Sequence, residues 1–175
     1  MNDALPWSHD VADIPMRGLE RAYVATADER VAVAAELELL ACELLTVRYS
    51  LRPVQGGRFV LNGELEARVS QPCVISLEPV ADSITERFEI ALWPAEDLPK
   101  PVARRFDPVA EDDPEPIVDG RICVGRIAFE ILAAAINPYP RKEGAALERS
   151  ESGVNSGQKD NPFAALARIK GLGSP

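Results

Sequence analysis

Leu45-Thr46-Val47-Arg48-Tyr49-Ser50-Leu51-Arg52-Pro53-Val54 alternates apolar and polar side chains with a period of two. Val47, Tyr49 and Leu51 fall on one side and Arg48, Ser50 and Arg52 on the other, which is the pattern of a strand with one buried face. The pattern continues downstream. Gln55-Gly56-Gly57 reads as a turn and residues 58–61 as a second short strand, ended by Asn62-Gly63, the strongest two-residue hairpin signal in the chain. Leu65, Ala67 and Val69 then alternate with Glu64, Glu66, Arg68 and Ser70 until Pro72-Cys73 closes the run. Residues 77–82 read as a connection. Ile84, Phe88, Ile90 and Leu92 mark a further strand with Thr85, Arg87 and Glu89 outward. The whole predicts a meander of antiparallel strands.

Helical signals flank the meander. Upstream, residues 1–13 read as a flexible N-terminal arm and residues 12–18 as a short extended stretch held by Pro15. Thr26-Ala27-Asp28-Glu29 has the spacing of a capping box and predicts a helix over residues 27–41. Downstream, residues 94–119 carry Pro94, Pro99, Pro101, Pro108, Pro114 and Pro116 amid acidic residues and read as a long irregular loop. Asp119-Gly120 turns the chain into a helix over residues 124–136, with Ile127, Ile131, Ala134 and Ala135 as its apolar stripe. Asn137-Pro138-Tyr139-Pro140 stops it.

Residues 148–159, rich in Ser, Gly and charge, read as a linker. Beyond it Asn161 is placed as an N-cap, Pro162 opens a helical turn, and Phe163, Leu166 and Ile169 share a face, with Arg168 and Lys170 beside them. So short a helix is marginal alone in water and gains stability only by docking. The reading is therefore α+β: an antiparallel sheet of four or five strands with two packed helices in one domain over residues 14–147, and a short C-terminal helical motif over residues 160–175 on a flexible tether.

The 175 residues are 46% hydrophobic and 27% charged, the composition of a globular domain rather than a disordered or fibrous chain. The apolar run of residues 127–136 is too short to cross a bilayer and contains Glu130, so no membrane contact is expected. The acidic start lacks the apolar core of a secretory signal, and a cytoplasmic location is the expectation. Cys42, Cys73 and Cys123 form no C-x-x-C pair, and His9 is the single histidine. These facts leave no metal site, no cofactor, no small-molecule substrate and no catalytic constellation to propose, so no enzymatic activity is expected.

The net charge of -9 disfavours nucleic acid in bulk, but its distribution is uneven. Residues 107–119 hold six acids and no base, whereas residues 120–175 hold eight bases and five acids. The acidic loop lacks the spacing of a calcium-binding loop. Two basic features have competing explanations. Arg48, Arg52, Arg58, Arg68 and Arg87 on the polar face of the sheet alternate with Glu64, Glu66 and Glu89, which suits either cross-strand ion pairs or contacts to phosphate. Few aromatics accompany them: Tyr49, Phe59 and Trp93 lie near, and Tyr49 is on the apolar side. Arg141-Lys142 suits either a helix C-terminus or an exposed basic knuckle for RNA or a protein.

Taken in order, Leu61-Asn62-Gly63, the strand into Cys73, Leu77-Glu78-Pro79-Val80, Glu115-Pro116-Ile117, Gly120-Arg121-Ile122, the helix containing Glu130 with Pro138-Tyr139-Pro140, and Asn161-Pro162-Phe163-Ala164-Ala165-Leu166 through Lys170 resemble the YceD family of large ribosomal RNA subunit accumulation proteins, found in bacteria and plastids. The resemblance spans nearly the whole chain from about Ile14. It implies a non-enzymatic role in the synthesis, processing or stability of large-subunit (23S) ribosomal RNA, and hence in ribosome biogenesis. The implied partner is that RNA or a pre-ribosomal particle, met directly or, alternatively, through a protein-only adaptor role. Candidate contacts are Arg141, Lys142, Pro162, Phe163, Leu166, Arg168 and Lys170, with Arg48, Arg52, Arg68 and Arg87 as a second group. Many members carry C-x-x-C at the end of the central strand. Here Cys73 matches its first position and Ser76 stands at the second, so zinc is not expected.

Overall fold

The computed structural model describes residues 4–98 and 114–146. In chain order the elements are β1 (His9–Asp10), β2 (Leu19–Val24), α1 (Ala27–Glu36), β3 (Ala41–Val54), β4 (Arg58–Pro72), β5 (Pro79–Pro94), β6 (Glu115–Ile117), β7 (Arg121–Ile122) and α2 (Val124–Ala135). Strands β2 to β6 form a five-stranded sheet in sequential order, antiparallel except where β6 runs parallel to β5. β1 and β7 pair in a separate ribbon. The class is α+β, as the periodicities predict.

Three strands of 14, 15 and 16 residues, β3 to β5, make the body of the sheet. Their length corrects the expectation of a hairpin at Asn62-Gly63, which lies inside β4. Asn62 is opposite Ser50 and Glu89, and Gly63 opposite Tyr49 and Phe88. Glycine is required there by proximity rather than by a turn: a Cβ at position 63 would sit 2.5 Å from Phe88 Cζ and 2.7 Å from the Arg48 carbonyl oxygen. The true turns use positive φ. Gly56 and Gly57 (φ +80° and +68°) join β3 to β4. Asp119 and Gly120 (φ +52° and +68°) close a tight hairpin in which the Arg121 N–H donates to the Val118 carbonyl.

Helix α1 starts as its capping box dictates. The Glu29 N–H donates to Thr26 Oγ1 at 3.3 Å, and the Thr26 N–H donates to Glu29 Oε2 at 2.7 Å. It ends at Glu36 rather than residue 41, because β3 claims Ala41 and Cys42 for pairing with Ser70 and Val69. β2, for which the sequence yielded no expectation, is the edge strand beside β3, and β5 begins at Pro79 inside the expected connection. In α2 the buried residues are Val124, Gly125, Ile127, Ala128 and Leu132, while Ala134 of the expected stripe is exposed.

Residues 4–13 are not the loose arm expected of them. Leu5 and Trp7 are buried, and Trp7 stacks on Tyr23 with centroids 5.0 Å apart. The Trp7 indole N–H donates to Glu29 Oε1 at 2.9 Å, so the capping carboxylate also anchors this segment. The Trp7 carbonyl accepts from the Gly125 N–H at 2.8 Å, and a Cβ at position 125 would lie 2.0 Å from the Leu5 carbonyl oxygen. Residues 12–18 are also not simply extended, since a 3-10 turn spans Val11–Asp13 and the Gly18 N–H donates to the Pro15 carbonyl.

Register assigns each strand residue to a face. The inner face carries Val47, Leu51, Leu61, Leu65 and Leu92, and it joins the buried residues of α1, α2 and the N-terminal segment in a single core. The chain divides between Ala145 and Ala146, and residues 147–175, with the linker and the C-terminal motif, lie outside the described residues.

Candidate functional site

The outer face of the sheet is where the polar half of each strand collects. One row runs Ala22, Arg48, Glu64, Arg87 across β2 to β5, and its neighbour runs Glu20, Ser50, Asn62, Glu89. Arg87 Nε lies 3.1 Å from Glu64 Oε2, and Arg48 Nη1 is 3.8 Å from Glu66 Oε1. These are exposed pairs, worth about 0.2 to 1 kcal/mol each, so a polyanion would meet little resistance in exchanging for either carboxylate. Arg52 and Arg68 are exposed and have no ion-pair partner among the described residues. Arg58 is engaged otherwise: its guanidinium lies 3.8 Å from the centre of the Trp93 ring and its Nη2 3.7 Å from Asp97 Oδ2. That occupies Trp93, so stacking on bases is not what this face offers.

The second region lies at the end of β4. Cys73 is fully buried, and its Sγ accepts from the backbone N–H groups of Ile75, Ser76 and Lys142, each at 3.4 Å. These donors, the Lys142 amide foremost, draw the thiol down to about 6. The segment after α2 is strapped to the same turn: the Val74 N–H donates to the Pro140 carbonyl at 2.9 Å, and Gln71 Nε2 donates to the Asn137 carbonyl at 3.0 Å. Lys142 Nζ meets Glu78 Oε1 at 2.9 Å. Lys142 is thus part of this junction, whereas Arg141 stands exposed.

This turn does not fit zinc. Tetrahedral zinc needs several thiolate, imidazole or carboxylate ligands, and here one sulfur is surrounded by amide donors with Ser76 beside it. His9 is elsewhere, with its Nε2 bonded to the Tyr49 hydroxyl. Burial, with a smaller push from Arg21, holds its imidazole below the ordinary histidine range, and burial pushes the Tyr49 phenol up. Among the described residues no three His, Cys, Asp or Glu side chains gather as a metal-ligating group.

The structure therefore brings Arg48, Arg52, Arg68 and Arg87 together on one face and sets Arg141 and Lys142 apart from it. Pro162, Phe163, Leu166, Arg168 and Lys170 lie outside the described residues. No helix among the described residues is long and apolar enough to cross a membrane. Sequence reasoning missed Arg17, which the turn before β2 sets beside Arg52, whereas Arg21 pairs in register with Tyr49 and belongs to the inner row of β2. The one available signal was Pro15-Met16-Arg17-Gly18, a turn that feeds a strand.

Comparison with curated proteins and with solved structures returned no match. The family model described as "Large ribosomal RNA subunit accumulation protein YceD" matches residues 61–170, from near the start of β4 through α2 and into the C-terminal motif. Covering more than half of the chain, that match establishes that the protein belongs to the YceD family.

Proposed function

We propose that this protein acts in large-subunit ribosomal RNA accumulation by binding, without catalysis, the RNA itself or a precursor particle that contains it. The observation that carries this reading is the outer face of the sheet, where rigid strands hold Arg52 and Arg68, which have no carboxylate partner among the described residues, beside Arg48 and Arg87, whose pairs are weak enough to exchange. The C-terminal motif, with Phe163, Leu166, Arg168 and Lys170, serves as a second contact, and the family match extends through it. Crosslinking in living cells, followed by sequencing of the attached RNA, tests the reading. Enrichment of large-subunit ribosomal RNA is expected.

A second reading is favoured by the net charge of -9: an adaptor that touches a ribosomal protein or processing enzyme and never RNA. Recovery of crosslinked proteins with no attached RNA would select it.

A further inference from the structure

Two hollows adjoin on the sheet, of about 600 and about 610 Å³, and they share Glu20, Arg21 and Ser50. The first, at the β2 edge, is lined by Arg17, Arg21 and Arg52 together with Asp13 and Glu20. The second crosses the outer face past Arg48, Asn62, Glu64 and Arg87. Arg21 lines both hollows from the inner row of β2, opposite Tyr49, which leaves Arg17, Arg48, Arg52 and Arg87 against Asp13, Glu20 and Glu64, a small local positive excess on a chain whose net charge is -9.

The arginines of the first hollow differ from most others. Among the described residues six cations pair with carboxylates: Arg48, Arg58, Arg87, Arg121, Arg126 and Lys142. Of the six described cations that do not, Arg17, Arg21 and Arg52 line this one hollow. The backbone brings them there. The turn closed by the Gly18 N–H on the Pro15 carbonyl sets Arg17 beside the start of β2, with Gly18 at φ +80°. A Cβ at position 18 would lie 3.2 Å from Arg52 Cγ and 2.7 Å from the Leu51 carbonyl oxygen, so glycine leaves room for Arg52 to lie against the turn.

We infer that the joined hollows are a phosphate-backbone track for an RNA strand, entered at Arg17 and Arg52 and continued past Arg48 and Arg87. This rests on the binding function proposed above and names where the RNA is held. Arg48 and Arg52 are four residues apart on β3, about 13 Å at the usual strand rise, which suits a succession of phosphates better than a single small anion. The track lacks an exposed aromatic, since Tyr49, the one aromatic lining it, is buried. Binding is therefore by charge and tolerant of sequence.

The test uses the full chain and a fluorescein-labelled 20-nucleotide poly(U) RNA, titrated at several salt concentrations. Each phosphate contact to a single strand contributes roughly 0.7 to the slope of log affinity against log salt. Arg17→Gln with Arg52→Gln is expected to flatten that slope by about 1.4 with an unchanged melting temperature, and Arg52→Lys to retain it. Arg121→Gln, which removes a cation paired with Asp10 outside the hollows, should leave the slope as it was. An unchanged slope in the double glutamine variant overturns the track. So does absence of poly(U) binding by the native chain, or tighter binding of poly-glutamate, which would assign the hollows to an acidic protein segment. Ribosomal RNA recovered by crosslinking in cells alongside any of these would leave the binding function standing and only the track refuted.

Discussion

The two faces of the sheet are built from alternate residues of the same strands, and they differ in what holds them. On the inner face Leu51, Leu61 and Leu65 are fully buried and register decides every contact. On the outer face Arg48, Glu64 and Arg87 sit in one row of β3, β4 and β5, and Arg87 with Glu64 and Arg48 with Glu66 make exposed pairs that contribute little to stability. A shift of one residue in register would exchange the two sets. The inner face is thus what fixes the outer arginines in position, and the outer face is left chemically free.

The largest effect expected is on the inner face. Leu65→Ala removes a fully buried side chain from the middle of β4 and should cost about 2 to 5 kcal/mol in denaturant unfolding. A loss under about 1 kcal/mol would mean that the faces do not divide the labour as described. Gly125→Ala is expected to cost about 1 to 3 kcal/mol, because the added methyl meets the Leu5 carbonyl and must displace the N-terminal segment. A neutral result would show that residues 4–13 contribute little to the covered face.

Much of this division was legible in the sequence. The alternation through Val47, Tyr49 and Leu51 placed the arginines outward, and Thr26 with Glu29 located the start of α1. What was not legible depended on long-range packing. Asn62-Gly63 carries the local chemistry of a turn, yet Phe88 and Tyr49 close over Gly63 and keep it in the strand. Leu5 and Trp7 look like part of a flexible arm until Tyr23 and Glu29 receive the indole. Edge strand β2 alternates poorly, with only Leu19 and Tyr23 half-buried, so the approach of Arg17 to Arg52 was signalled only by the turn at Pro15-Met16-Arg17-Gly18.

The Cys73 turn ties the stability of the fold to pH. Its thiol ionises at about 6 in the folded chain against an ordinary value of 9.0, so the folded state binds the proton less tightly than the unfolded one. The stabilisation is fully present above pH 9 and is lost as pH falls toward 6. A plot of melting temperature against pH should rise across that window for the native chain and rise less for Cys73→Ala. Parallel curves would show that the amide donors do not hold a thiolate.

The smallest stability effect belongs to the outer face. Arg87→Ala should cost less than about 1 kcal/mol and less still at high salt, because the Arg87–Glu64 pair is exposed. A loss comparable to that of Leu65→Ala would make the pair structural and remove it from the proposed contact surface.

The measurement that tests the central claim most directly is gradient sedimentation of cell lysates containing either the native chain or a chain with Arg48→Glu, Arg52→Glu and Arg87→Glu, compared at equal melting temperature. The native chain is expected to travel with large-subunit precursors and the charge-reversed chain to stay at the top of the gradient. Equal co-sedimentation of the two would contradict that claim.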